Sequence, residues 1–427
     1  MAYSALSNEY FHRNGLVRML WWVPEIYKVT VTAELPTTRT SFNVGLDMGL
    51  NISEIAGVRT IEEIKDVQSV RQYKKRPDPL EQASNEAVMQ RMRESGIEAP
   101  KGRALQSKKM SISPDKPEPI VSPFASTSKS AYELQAAIDA TALRIEEVAE
   151  FAGDKTNRVV SAELVEILER IHHSHLMAAV KAYPSHARLQ EEAVAVLLDI
   201  ELRLVNIEAS FKNLEDGIED RAALDALRTK ILALQSKQDN VVGTAAQRTQ
   251  VALDNLLEDQ LVQFSSPPLM AWDRRYYEPL RAESTDFWPK FDLSLFDMVP
   301  NTRDLSVPGL ADSQECSRFC AELLQQLFMA RNQPLPSALD KIGVNAGKDL
   351  IPMVPAITDV RKGGRLNPDR VKTRMLTEEM VEGLVKAFFE WPFRPQSWEL
   401  ALAGDHGTGE GEHDSESENE EVTVPAH

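Results

Sequence analysis

Six basic side chains in a fourteen-residue window carry the clearest chemical signal in this sequence. They are Arg361, Lys362, Arg365, Arg370, Lys372 and Arg374, in RKGGRLNPDRVKTR (361–374), set against a single Asp. A run of this kind neutralises phosphates, and Gly363-Gly364 would keep the backbone low and flexible beside them. The competing reading is a solvated basic loop. The aromatic residues of FFEWPF (388–393) could stack bases, although their helical spacing favours packing in a core.

Other chemistry is thinner. No GxGxxG turn and no GxSxG elbow occurs, so neither a dinucleotide fingerprint nor a serine nucleophile is indicated. GVNAGKD (343–349) resembles a phosphate loop only superficially. It is one residue short between its glycines, and Asp349 stands where a magnesium-binding hydroxyl belongs, so a plain loop is expected. His172 and His175 in RIHHSH share a helical face without evident further ligands, which reads as a solvated surface rather than a metal site. Cys316 and Cys320, one helical turn apart, fit two buried, reduced positions better than half a zinc site.

The net charge of −17 would exclude nucleic acid if it were spread evenly. It is not. Residues 405–427 contain eight acidic residues and no Lys or Arg, and removing them leaves −9 for residues 1–404. This tail is expected to be a disordered, solubilising end, with competition for the basic stripe as the second reading. A content of 42% hydrophobic and 26% charged residues is that of a globular chain, which sets aside collagen-like, disulfide-scaffold and wholly disordered classes. No run of eighteen apolar residues suggests a membrane partner.

The elements that must position these residues follow from periodicity. LVRMLWWVP (16–24) is an apolar run that fits buried strand or buried helix, and YKVTVTAEL (27–35) alternates like a half-exposed strand. Residues 61–130, rich in charge, Ser and Pro, read as a flexible linker at a domain boundary. Residues 131–262 read as a helical bundle or coiled coil. One helix carries Leu134, Ile138, Ile145, Val148 and Ala152, and a second runs from near Ser161 to Tyr183. A third shows a heptad-like seam from Leu197 through Ile200, Leu204, Ile207, Phe211 and Leu214 to Ile218, resumed at Leu224, Leu227, Ile231 and Leu234. Beyond 263 the spacing predicts a helix over 316–333 and another starting after an N-cap at Thr377, with Met380, Val381, Leu384, Val385, Phe388 and Phe389 on its buried stripe.

Three segments resemble the mitochondrial transcription factor B family, the specificity factors of mitochondrial RNA polymerase that descend from rRNA adenine N6-dimethyltransferases, in its fungal branch. FHRNGLVRMLWWVPEIYK (11–28) is similar to the family's aromatic, Gly-Leu-Val and Trp-x-Pro segment. LMAWDRRYYEPLRAESTDFWPKFDLSLFDMVP (269–300) is similar to its Trp-Asp block. LDKIGVNAGKDLI (339–351) and LTEEMVEGLVKAFFEWPFRP (376–395) resemble its C-terminal helical subdomain, which ends in a Glu-Trp-Pro-Phe signature.

The resemblance covers about a third of the chain and implies a promoter-recognition and melting factor that acts with mitochondrial RNA polymerase on promoter DNA, in the mitochondrion. The second function it implies is S-adenosylmethionine-dependent dimethylation of rRNA adenines. In the family the cofactor loop and the adenine-holding motif precede the Gly-Leu-Val segment. Only about ten residues precede it here, so the first half of a Rossmann-like domain is expected to be missing, and no cofactor or catalytic residue carries over. The expected fold is α/β, with residues 1–60 and 263–310 as a partial Rossmann-like core. Residues 61–130 are the linker, 131–262 a helical insertion, 311–404 a helical subdomain and 405–427 the tail.

Overall fold

The computed structural model describes residues 10–57, 78–101, 187–216, 221–262, 265–301 and 313–394, with Arg76, Leu105 and Ala136 besides. These belong to two units, one ending at Trp391 and a second beginning at Pro392. The first is a mixed α/β body. Its sheet contains β1 (Met19–Pro24), β2 (Leu50–Gly57), β3 (Leu280–Arg281) and β4 (Leu293–Pro300), in the order β1-β4-β2-β3. β4 lies antiparallel between β1 and β2, with Met19 opposite Met298 and Ile52 opposite Met298 from the other side.

The apolar run at 16–24 therefore resolves as a strand. Met19, Trp21 and Val23 turn inward, onto a core with Leu46, Leu50, Ile52, Phe296 and Met298. Leu20 and Trp22 turn outward and remain 59% and 48% exposed on what is, among the described residues, the edge of the sheet.

The alternation at 27–35 does not become a strand. Lys28–Val31 forms a single helical turn, α1, which follows β1 after a 3-10 turn at Glu25–Tyr27. Pro24 offers no N–H to continue the ladder. The carbonyls of Val29 and Thr30 are instead taken by the Nδ2 of Asn43, at 3.2 and 2.8 Å. Asn43 is itself fixed as the third residue of helix α2 (Ser41–Gly49), where it forms a capping box with Thr40. Strand propensity gives way to tertiary hydrogen bonding.

The turn also buries charge. Lys28 sits 2.9 Å from Glu54 and 3.8 Å from Glu25, and Glu25 accepts a hydrogen bond from the Ser294 hydroxyl. Burial pushes the Glu25 carboxyl from 4.5 up to about 7, with Glu54 and Glu34 adding to the rise while Lys28 and Ser294 oppose it.

Residues 61–130, expected to be linker, contain a 17-residue helix, α3 (Asp78–Glu94). Leu80, Ser84, Val88 and Met92, at four-residue steps, are buried along it. One member of that stripe is polar, and most of the rest of the helix is charged or amide-bearing, so the apolar period is weak. Its docking depends on hydrogen bonds to residues 272–278 as much as on apolar area.

Three further helices follow: α4 (Ala187–Glu215), α5 (Arg221–Gly243) and α6 (Gln247–Leu261). The seam Ile200, Leu204, Ile207 and Phe211 on α4 packs with Leu224, Ile231 and Leu234 on α5, as the spacing predicts. Leu366, from the basic segment, belongs to the same cluster. The expected helices near 134–153 and 161–183, the tail and Ile218 lie outside the described residues.

The remaining α-helices among the described residues are α7 (Ala271–Arg274), α8 (Ser313–Met329), α9 (Leu335–Leu339), α10 (Ala346–Leu350) and α11 (Glu378–Glu390). Thr377 caps α11 by accepting from the Met380 amide at 3.4 Å. Met380, Val381, Leu384, Val385 and Phe388 are buried. No described helix is long and apolar enough to cross a membrane.

The Glu25 site gives a pH prediction. Because the folded carboxyl binds its proton more tightly than the unfolded one, this group's contribution to stability is complete below 4.5 and is lost as pH rises through about 7. Glu25→Gln should flatten the fall in urea midpoint between about pH 5 and 8. A slope identical to that of the parent chain would contradict the assignment.

Candidate nucleic-acid interface

The basic segment is built from successive single 3-10 turns, Val360–Lys362, Pro368–Arg370 and Thr373–Met375. Gly363 closes the first of these at φ +87, a left-handed conformation that favours glycine. A Cβ on Gly364 would run into the carbonyl oxygens of Ala356 and Ile357. The glycine pair therefore folds the segment back on its own backbone, with Arg365 N bonded to Ile357 O at 3.0 Å. Close approach to phosphate is not needed to explain these two glycines.

All six basic residues meet carboxylates. Arg361 bonds Asp359 and Asp216, each at 2.6 Å. Lys362 reaches Glu379 at 2.5 Å. Arg365 pairs with Glu208 at 2.7 Å, Arg370 with Glu201 at 2.8 Å and Asp239 at 2.5 Å. Lys372 lies 2.7 Å from Asp254 and 3.2 Å from Glu258, and Arg374 lies 2.5 Å from Glu258. Asp359 and Glu379 apart, these carboxylates come from α4, α5, α6 and the residue just after α4. The excess charge of the segment is thus met by the helical layer, and the stripe straps the two together.

The pairs differ in worth because they differ in burial. Arg361 and Lys362 are 36% and 46% exposed, and solvent-screened pairs of this kind contribute little. The hydrogen bonds that Arg361 donates to Asp359 and then to Asp216 hold it more firmly protonated than usual. Burial raises Asp359, but the hydrogen bonds from Arg361 outweigh it and hold the carboxyl below its ordinary value.

Arg365 and Glu208 are almost wholly buried. Glu208 also accepts from Gln235 Nε2 at 2.6 Å and from the Leu366 amide at 2.7 Å, so a charge removed from water is fully hydrogen-bonded. Arg365, Arg370, Lys372 and Arg374 line a cleft of about 680 Å³ between the segment, the helical layer and residues 331–334.

The other sequence candidates take structural places. In GVNAGKD, Gly347 packs against the Pro336 backbone and gives its amide to Asp340 at 2.9 Å, while Asp349 accepts from Trp391 Nε1 at 2.9 Å. Of the FFEWPF aromatics, Phe388 and Trp391 are 1% and 3% exposed and offer no open face for a base, whereas Phe393 is 75% exposed. Cys320 is buried, with its Sγ 3.6 Å from Met48 Sδ; the Cys316 side chain, His172 and His175 lie outside the described residues. Among the described residues no group of three or more metal-ligating side chains forms.

A second charged centre was not predicted from the sequence. Arg76 grips Asp273 with both carboxylate oxygens, at 2.7 and 2.8 Å. Arg274 lies 2.7 Å from Asp47 and also bonds Glu378. Arg275 sits 3.9 Å over the Trp272 ring and bonds Ser84 and Asn85 of α3. The signal available was Asp-Arg-Arg directly after Trp272 in a block otherwise rich in aromatic and aliphatic residues.

Neutralising Glu208 as Glu208→Gln should cost about 3–5 kcal/mol, because Arg365 would be left buried without a counter-charge. Glu379→Gln, at the exposed Lys362 pair, should cost less than about 1 kcal/mol. Urea midpoints of the two variants check this, and equal losses would contradict it. No family model, curated protein or solved structure matches this chain.

Proposed function

We propose that this chain is a mitochondrial transcription factor of the transcription factor B type, contributing promoter binding and melting to mitochondrial RNA polymerase. The observation that carries the reading is the meeting of the three resembling segments, which lie far apart in sequence. Residues 19–24 of the first pair with 293–298 of the second, residue by residue. Arg274 of the second bonds Glu378 of the third, and Trp391 of the third packs on Gly343. A last strand inserted antiparallel beside an edge strand suits the second half of a Rossmann-like sheet.

On this reading the nucleic acid meets the outer end of the basic stripe. Arg361 and Lys362 are the most exposed members, and their partners Asp216 and Glu379 are themselves solvent-exposed. A phosphate can replace such a carboxylate at small cost. Arg365 and Arg374 act from inside, holding the segment in place.

The double variant Arg361→Glu, Lys362→Glu should weaken binding to promoter DNA and lower the steepness of its salt dependence by about two counter-ions, with the unfolding midpoint nearly unchanged. Filter-binding titrations across a salt series, with and without the polymerase, measure this. Unaltered affinity and slope in both settings would refute the assignment.

A further inference from the structure

The 680 Å³ cleft has a donor-rich end that the protein itself leaves unfilled. Arg374 gives its guanidinium to the side-chain oxygens of Asn332, at 2.7 Å, and Asn255, at 3.0 Å. With both oxygens turned to Arg374, both amide nitrogens are left as donors that find no acceptor among the described residues.

Arg331 lines the same end, and no carboxylate among the described residues lies within ion-pair distance of it. Its carbonyl accepts from the Arg374 amide at 3.2 Å, which fixes its backbone beside the group. Thr37, which also lines the cleft, carries a buried hydroxyl with no hydrogen-bond partner among the described residues. Three cations at this end, Arg331, Lys372 and Arg374, face two carboxylates, Asp254 and Glu258, so one positive charge is unmatched.

Donors that converge without acceptors, around one surplus positive charge, call for an oxyanion. The adjoining wall is apolar, formed by Val242, Val251, Leu257 and Pro334, and the volume lies in the range of small-molecule sites. The far end carries Glu201, Asp239 and Asp369 beside Arg370, which would repel a second anionic group.

We infer that the cleft binds a single phosphate group carried on a body of about nucleotide size, with Arg331, Asn332 and Asn255 as its donors. The site is separate from Arg361 and Lys362, and the inference stands whether or not the chain acts in transcription.

The test titrates the full chain, by calorimetry, with adenosine 5′-monophosphate, adenosine, inorganic phosphate and a short single-stranded DNA. Adenosine 5′-monophosphate should bind and adenosine should not. Arg331→Ala breaks no ion pair seen among the described residues, so its unfolding midpoint should match the parent. It should weaken binding of the phosphate-bearing probe roughly tenfold or more, the worth of one charge-assisted hydrogen bond. Arg331→Lys should restore only part of the loss. If the variant also loses the single-stranded DNA, the phosphate belongs to a nucleic-acid strand; if it loses only the mononucleotide, the ligand is a free nucleotide. The inference fails if no phosphate-bearing probe binds the parent chain, or if binding is indifferent to Arg331.

Discussion

The buried contact between Glu208 and Arg365 determines how the basic segment fits against helix α4. Both side chains are nearly dry, and the carboxylate is further bonded by Gln235 and by the backbone amide of Leu366. Electrostatically this is costly until every lone pair is engaged, and then costly to undo. Because the amide bond falls on the residue after the arginine, Leu366 is carried into the apolar seam formed by Ile200, Leu204, Ile207 and Phe211. One contact therefore fixes the angle of α4, the path of the basic segment and the closure of the core between them. The outer pairs are decoration on that frame.

Charge is buried elsewhere too, and it joins segments distant in sequence. Arg39 donates to the carbonyls of Arg374 and Leu376, tying the turn before α2 to the end of the basic segment. Arg274 joins Asp47 of α2 to Glu378 at the start of α11. Burial pushes Asp47 up against the pull of Arg274 and Arg39. Apolar packing alone would tolerate small rotations between these elements. Hydrogen-bonded charges do not, because a displaced partner leaves the other unsatisfied in a dry site.

Periodicity made some of this legible. The seam from Leu197 to Phe211 and the capped helix after Thr377 can be read because local pattern and tertiary outcome agree, whereas the uniform apolar run ending at Pro24 left strand and helix open. The turn at Lys28–Val31 could not be read, since it depends on Asn43, whose amide claims the carbonyls that a strand would have used. Helix α3 was hidden because Ser84 interrupts its stripe and Arg275 supplies much of its anchoring. The basic stripe was visible as charge, but its partners, Glu201, Glu208, Asp239, Asp254 and Glu258, lie more than a hundred residues away. Nothing in a local window shows which charges will find each other.

The sheet also imposes an order in time. Among the described residues every ladder hydrogen bond of β1 is to β4, so for this pairing residues 19–24 must wait for residues 293–300 to leave the ribosome. Until then the strand holding Met19, Trp21 and Val23 lacks its β4 neighbour, and Leu20 and Trp22 offer a second apolar face. Closing so long a loop is slow, and unpaired apolar strands associate readily. Residues 19–24 are thus most vulnerable before residues 293–300 are made, and a holdase that recognises short apolar strands would protect them while the helical layer is synthesised.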